Sequence, residues 1–379
     1  MLMYSVLNYG HMVADAVRMD AYARAIERTV KPGSIVVDIG AGTGIFTLLA
    51  ARAGARRIHA IDPNPAVWLL ADLARDNGIA ERVEIHHTTS YDVTLSEKAD
   101  VIVSDLRGGL PLCGEHLAAL RDAKARLLAP NGVLLPERDD LFVGVIESDE
   151  LVAWIDRGST GFQRYGWRAD AVRRSILNTP VSDGGKLRTN HLATTAERWA
   201  TLRYGSEAVP IEGRVELVAR RRATAHCLAV WFTATIFEDL GFSTEPGTSM
   251  VYSRVVLPLL EPIELDRGDR VEVVLRADEH GQRWAWETTV KNGDAVKARL
   301  RQSSFFGMPT SPEALLRASS TFAPVPSPGG ARARRAIELM DGNRTIAEIA
   351  AALADSKPAA LPEAALLEEV RDLAARYGR

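Results

Sequence analysis

The sequence predicts an α/β fold: a parallel sheet wrapped by helices, then a mostly β region, then a small helical tail. Three observations carry this. Short apolar runs alternate with helical patterns through residues 34–145, the signature of a parallel sheet with helices on both faces. From 146 to 300 the runs become strand-like, with Gly, Pro and Asp between them. After a Pro-, Ser- and Ala-rich stretch at 308–330, helical periodicity returns over 331–379.

Taken in order, residues 1–30 read as helix. Tyr9, Met12, Val13, Val17, Tyr22 and Ile26 fall near helical spacing, and Lys31-Pro32-Gly33 stops the run. The segments SIVVDIG, RRIHAID, RVEIHH and DVIVSD read as four buried strands. Between them, PAVWLLADLARDNG reads as a helix closed by Asn77-Gly78. Further on, GRVELVARR, HCLAVWFTATIF, SRVVLPLLEPIEL and DRVEVVLRAD read as strands of a second, mostly β domain. The stretch around residues 168–202 interrupts it as a helical or irregular excursion. In the tail, Thr345 and Glu348 form a capping box, each side chain satisfying a free amide at a helix start. The expected segments are 1–30, 31–140, 141–307, a linker at 308–330, and 331–379.

Composition excludes several classes. The 379 residues carry 46 Lys plus Arg against 49 Asp plus Glu, a formal charge of -3. A generic nucleic-acid binder would show a basic excess, so that partner is disfavoured. The 46% hydrophobic and 25% charged residues exclude whole-chain disorder. Two cysteines, Cys113 and Cys227, cannot build a disulfide framework or a cysteine-rich zinc site. No apolar run nears the roughly 18 residues that span a bilayer, and no secretory signal is visible. The expected setting is reducing and cytoplasmic, without a membrane.

The most specific motif is VVDIGAGTGIFTLLAA. Asp38, Gly40, Ala41, Gly42 and Gly44 lie between a strand and a helix, where glycines let the backbone turn tightly and approach a ligand. Asp62 follows about 20 residues on, at the end of the next strand, where an acid can accept from both ribose hydroxyls. The fingerprint is G-x-G-x-G, and it lacks the spacing of dinucleotide enzymes. Such an element suits a nucleoside without a pyrophosphate. It resembles the loop of class I S-adenosylmethionine (SAM) methyltransferases.

The resemblance can be narrowed. YGHMVADAVRMDAYARAI, the glycine segment, SDLRGGLPL, RLLAPNGVLLPERDDLFV and GFSTEPGTS are together similar to the protein arginine methyltransferases over roughly residues 4–305. This implies a helical lid over SAM, a Rossmann-like SAM-binding sheet, and a β-barrel with a helical dimerisation arm at about 160–205. It implies SAM as cofactor and a homodimer formed through that arm. Residue by residue, Arg18 matches the lid arginine that grips the SAM carboxylate, since a guanidinium offers two parallel hydrogen bonds. Met12 matches the lid methionine near the sulfonium, and Asp62 the ribose acid. Ser90 and Tyr91 lie where the family contacts adenine; the family usually has glutamate at Tyr91, and Asp92 could substitute.

The acceptor side departs from the pattern. The arginine enzymes hold the guanidinium between two glutamates of one loop. Here the first position is Asp105; the second falls on Gly114, with Glu115 one residue later. The expected catalytic acids are therefore Asp105 and Glu115. Val251, Tyr252 and Ser253 replace a Thr-His-Trp segment of the family. His11 and His116 are candidate bases, given an ordinary pKa near 6.5. His86 and His87 are adjacent on a strand and point to opposite faces, so they should not share a metal. No catalytic metal is expected.

The tail segment AIELMDGNRTIAEIAAALADS resembles small winged-helix-like PqqD-type modules, which hold a leader peptide in several peptide-modifying systems; a purely structural cap and peptide or protein docking both stand as readings, with nucleic-acid contact through Arg332, Arg334 and Arg335 the lesser alternative. The functional expectation is SAM-dependent methylation of a nitrogen, an arginine-like guanidinium or an amine, on a peptide, protein or small molecule. O-methylation in a natural-product or peptide pathway and a non-catalytic SAM-binding scaffold are the alternatives.

Overall fold

The computed structural model describes residues 4–207, 210–354 and 361–378. The outer ends of the expected first and last segments, residues 1–3 and 379, lie outside the described residues. Two compact units are present, 1–309 and 310–379.

The first unit opens on two helices, α1 (Val6–Ala14) and α2 (Ala16–Thr29). The single helix expected over 1–30 is thus broken. Asp15 leaves helical geometry (φ -73°, ψ 91°) and caps α2 through its carboxylate and the Arg18 amide. The first sheet follows: β1 (Ile35–Ile39), α3 (Ile45–Arg52), β2 (Arg57–Ile61), α4 (Leu69–Asp76), β3 (Val83–His86), β4 (Ala99–Ser104), α5 (His116–Arg126) and β5 (Leu128–Leu135). Its order is β3-β2-β1-β4-β5, and its pairings are parallel. β1 is buried along its whole length, as a parallel strand covered on both faces should be. The order reverses between β1 and β4, which puts the ligand crevice at their C-terminal ends.

Two antiparallel sheets build the barrel. One has the order β7-β12-β10-β6-β8 with β11 paired to β10, and the other β15-β14-β13-β9. The strands are β6 (Arg138–Ile146), β7 (Val181–Ser182), β8 (Glu197–Arg203), β9 (Ile211–Val218), β10 (Ala223–Phe237), β11 (Leu240–Ser243), β12 (Val255–Leu265), β13 (Arg270–Ala277), β14 (Trp284–Asn292) and β15 (Ala295–Ser303). Helices α6 (Asp149–Gln163) and α7 (Asp170–Leu177) interrupt them. The helical excursion therefore starts earlier than the expected arm at about 160–205, while α7 falls within that range. Ser148 starts it by accepting the Leu151 amide, and Glu197–Arg203 has returned to the sheet against β6.

The second unit holds α8 (Pro312–Arg317), α9 (Pro328–Glu338), α10 (Ile346–Ala354) and α11 (Glu363–Tyr377). Part of the expected linker is helical. Ser311 and Ser327 each accept a helix-start amide ahead of a proline, so proline punctuation here opens helices. Ala336, Leu339, Ile349, Leu353, Leu366 and Val370 form the unit's core. Among the described residues it contains no strand, so the wing of a winged helix is not seen there.

Candidate active site

The glycine loop is the tightest part of the crevice. Gly40 (φ +77°) and Gly42 (φ +53°) have left-handed backbones, which favour glycine. A Cβ on Gly40 would sit 2.4 Å from Leu106, and one on Gly42 would sit 2.4 Å from the Tyr9 ring of α1. The Tyr9 ring of α1 therefore packs directly on the loop. Asp62 is buried and fixes the loop: its Oδ2 accepts from Gly42 N at 2.7 Å and its Oδ1 from Asn64 N at 2.7 Å. Gly40 and Ala41 both donate to the Ile61 carbonyl. Burial, then Asp62, raises the Tyr9 phenol to about 12.

Asp38 is fully buried. Its Oδ2 accepts from the Thr47 amide and hydroxyl at 3.0 and 2.8 Å, while its Oδ1 has no hydrogen-bond partner. Burial pushes this carboxyl up to about 7, against the bonds from Thr47. An unpartnered buried acceptor is costly, and a donor on a bound ligand would relieve it. Ser90 is buried with its carbonyl accepting from Arg126. Tyr91 is exposed, and Asp92 accepts from the Thr88 and Thr89 hydroxyls.

At the end of β4 the acceptor side begins, and here most of the chemistry was not legible in the sequence. The Asp105 side chain is enclosed and already held from three directions. Arg18 Nε donates to Oδ2 at 2.6 Å, the Tyr252 hydroxyl donates to Oδ2 at 2.5 Å, and Arg107 Nη1 donates to Oδ1 at 3.1 Å. Burial alone would raise Asp105; Arg18 and Arg107 overcome it and hold the carboxyl at about 2. Arg107 is itself fully buried. It grips Asp139 with Nε and Nη2 at 2.7 and 2.8 Å, and donates to the Tyr22 hydroxyl at 2.7 Å. Its guanidinium lies 5.5 to 5.9 Å from the ring centres of Phe232, Tyr204 and Phe242. Tyr204 donates to Asp139 and meets His116 Nε2 at 3.1 Å.

Several expectations change. Glu115 does not join Asp105. Gly114 turns the chain (φ +50°) and sets Glu115 at the exposed start of α5, where His280 Nδ1 lies 3.8 Å from its carboxylate. A guanidinium and a second acid, Arg107 and Asp139, stand beside Asp105 instead. His116 is buried, and burial with Arg107 drops its pKa to about 3, so it stays neutral and structural. His11 is exposed on α1. Arg18 faces Asp105 with Nε and the Met12 carbonyl with Nη1 (3.0 Å), while Nη2 has no hydrogen-bond partner among the described residues. Met12 itself is half-buried. Tyr252 was visible as the residue replacing the family's histidine segment, and Val251 N donates to Asp15 of the lid at 2.8 Å. Arg107 sat in the motif SDLRGG; only its burial was hidden. One further cluster joins residues that are distant in sequence: His59, Glu84 and His86 meet across β2 and β3.

These residues fit SAM. A Cβ at Gly40 or Gly42 would crowd Leu106 or Tyr9, the buried Asp62 carboxylate braces the loop, Arg18 Nη2 is available to a carboxylate, and Asp38 Oδ1 lacks a donor. Fold and site together define a class I SAM-dependent methyltransferase. The comparisons agree. A family model of ribosomal protein L11 methyltransferase (PrmA) matches residues 22–135. Protein arginine N-methyltransferase 6 of Danio rerio is 29% identical over 276 residues, covering 69% of this chain and 78% of that protein. Protein arginine N-methyltransferase PRMT10 of Oryza sativa subsp. japonica is 36% identical over 140 residues, 36% of this chain and 37% of its own length. Among solved structures, the Trypanosoma brucei PRMT1 enzyme-prozyme heterotetrameric complex with AdoHcy shares the fold. Its TM-score is 0.69 at 20% identity, covering 78% of this chain and 96% of that one. Arabidopsis thaliana protein arginine methyltransferase 10 gives 0.69 at 19% identity, covering 79% and 97%. The chain is a protein arginine methyltransferase-like, SAM-dependent methyltransferase.

Proposed function

We propose that the protein methylates a nitrogen, that of an arginine-like guanidinium or an amine, on a peptide, protein or small molecule. Asp105 carries this reading: it is an ionised carboxylate at the end of β4, beside the glycine loop and tied to the lid through Arg18. The names of the arginine methyltransferase relatives support a guanidinium acceptor.

Bound SAM supplies an electrophilic methyl group on a sulfonium. The glycine loop and Asp62 would hold its nucleoside. Arg18 would offer Nη2 to the carboxylate while Nε keeps Asp105 in place. Asp105 Oδ1 takes one hydrogen bond, from Arg107, and an sp² oxygen has a second lone pair for an acceptor N–H. The enzyme's contribution would be positioning and fixed electrostatics.

One observation favours a second reading, O-methylation. Asp105 and Asp139 are already balanced by Arg18 and Arg107, and Glu115 stands apart. Such a pocket attracts a cationic acceptor less strongly than a pair of free acids. Transfer from labelled SAM to candidate peptides, followed by mass spectrometry of the modified atom, separates the two. A base-labile methyl marks a carboxyl ester and sinks the nitrogen reading.

A homodimer through α6 and α7 is part of the proposal. Phe162, Tyr165 and Trp167 are exposed at 47%, 76% and 70% at the tip of this helix pair, and clustered exposed aromatics suit an interface. A cytoplasmic setting and peptide docking by the helical second unit complete it.

A further inference from the structure

His59, Glu84 and His86 lie on one face of the sheet's edge. β2 and β3 pair in parallel with His59 opposite Glu84 and Ile61 opposite His86. Glu84 and His86 are two residues apart on β3, so their side chains share a face, and the register brings His59 to that same face. His59 Nδ1 lies 3.1 Å from His86 Nε2 and 3.4 Å from Glu84 Oε2; His86 Nε2 lies 3.5 Å from Glu84 Oε1.

These three separations match a metal site. Zinc binds imidazole nitrogen and carboxylate oxygen at about 2.0 to 2.1 Å in tetrahedral geometry, which sets ligand atoms about 3.3 to 3.4 Å apart. The observed edges bracket that value, with His59 measured to one carboxylate oxygen of Glu84 and His86 to the other, so the two nitrogens and the carboxylate already surround a space of metal-site size. The donor set is also suitable. Two histidines with one carboxylate, and a fourth position left open, is a recurrent zinc arrangement. His59 is buried, His86 is 19% exposed at its side chain and Glu84 53%, so the fourth position faces solvent.

We propose that His59 Nδ1, His86 Nε2 and the Glu84 carboxylate bind one divalent transition-metal ion, zinc foremost, with water as the fourth ligand. The ion would clamp the β2–β3 edge. The Asp62 amide donates to the His86 carbonyl at 3.1 Å, so the clamped strand pair is the one that carries the ribose acid. The site is independent of the methyl acceptor, and it takes no part in methyl transfer.

The test uses the full chain without a polyhistidine tag, stripped with a chelator and titrated with zinc chloride by calorimetry. One saturable equivalent is expected. Substituting a ligand should cost at least what losing an outer-shell partner does, on the order of 10- to 100-fold in affinity. Glu84→Gln and His86→Ala change exposed or half-buried side chains, so folding is not at stake as it is for His59. Cobalt in place of zinc should give the intense visible bands of a four-coordinate site in the natural sequence and lose them in His86→Ala. Failure to saturate at one equivalent, or affinity in both variants equal to that of the natural sequence, overturns the proposal and leaves a hydrogen-bonded histidine pair.

Discussion

Removing Asp139 is the sharpest perturbation of the network behind Asp105. Arg107 and Asp139 both have side chains that are 0% exposed, and they share two parallel hydrogen bonds. Asp139→Ala leaves a guanidinium with no counter-charge but Asp105, enclosed by Tyr204, Phe232 and Phe242. Breaking one partner of a buried pair typically costs about 3 to 5 kcal/mol, because the other charge stays desolvated and unpaired. For a unit of this size, about 2 °C of melting temperature per kcal/mol applies, so the midpoint should fall by about 6 to 10 °C. The double variant Arg107→Met/Asp139→Ala removes both charges and keeps much of the volume. It should regain more than half of the loss, since apolar replacement of a whole buried pair is often neutral or better. Calorimetry on the two single variants, the double variant and the natural sequence measures this cycle. A fall under about 2 °C for Asp139→Ala, or strict additivity in the double variant, would refute the account of an enclosed, mutually dependent pair.

Four more outcomes are expected. Asp62→Ala should weaken SAM binding by about 1 to 3 kcal/mol, since a buried hydrogen-bonding group is lost; unchanged affinity by calorimetry counts against the ribose role. Asp105→Asn should cut turnover far more than SAM affinity, whereas Glu115→Gln should leave turnover within about twofold, as expected of an exposed surface carboxylate; equal effects of the two substitutions on labelled-methyl transfer would restore the paired-acid reading. Asp38 has a folded pKa near 7 against 3.8 unfolded, so its contribution is fully present below 3.8 and is lost as pH rises through 7. The drop in unfolding free energy from pH 5 to pH 8, read by urea titration, should therefore be smaller in Asp38→Asn, and an equal drop would dismiss the shift. Asp105 runs the other way: held at about 2 against 3.8, it stabilises above 3.8, and that contribution is lost as pH falls through 2. Acid unfolding should begin at higher pH in Arg107→Met, which removes one of its two cations.

The cofactor half was readable because its signals are local. A buried parallel strand is a short apolar run, and the glycines announce a backbone that a Cβ would block, as Leu106 and Tyr9 show at Gly40 and Gly42. Asp62 stands out by its place at the end of the next strand about 20 residues after the glycines, and its carboxylate accepts from the Gly42 amide. The acceptor half was misread because its partners are remote in sequence. Arg107 looks like a solvated charge until Asp139 and Tyr204 arrive from β6 and the segment just after β8. The carboxylate pair expected at Asp105 and Glu115 depended on a loop path that one turn at Gly114 redirects. The histidine cluster was hidden for the same reason. Strand alternation rightly separates His86 from His87, but only the pairing of β2 with β3 brings His59 to His86. What replaces the expected pair is a chain of alternating charges, Arg18, Asp105, Arg107 and Asp139, running from the lid to the barrel. Because each charge is satisfied by its neighbour, the carboxylate at the cofactor's edge is fixed in place before any acceptor arrives. An acceptor would then meet the one remaining lone pair on Asp105 Oδ1 rather than fill an empty acidic slot, which would make shape and hydrogen-bond direction, more than positive charge, the basis of its selection.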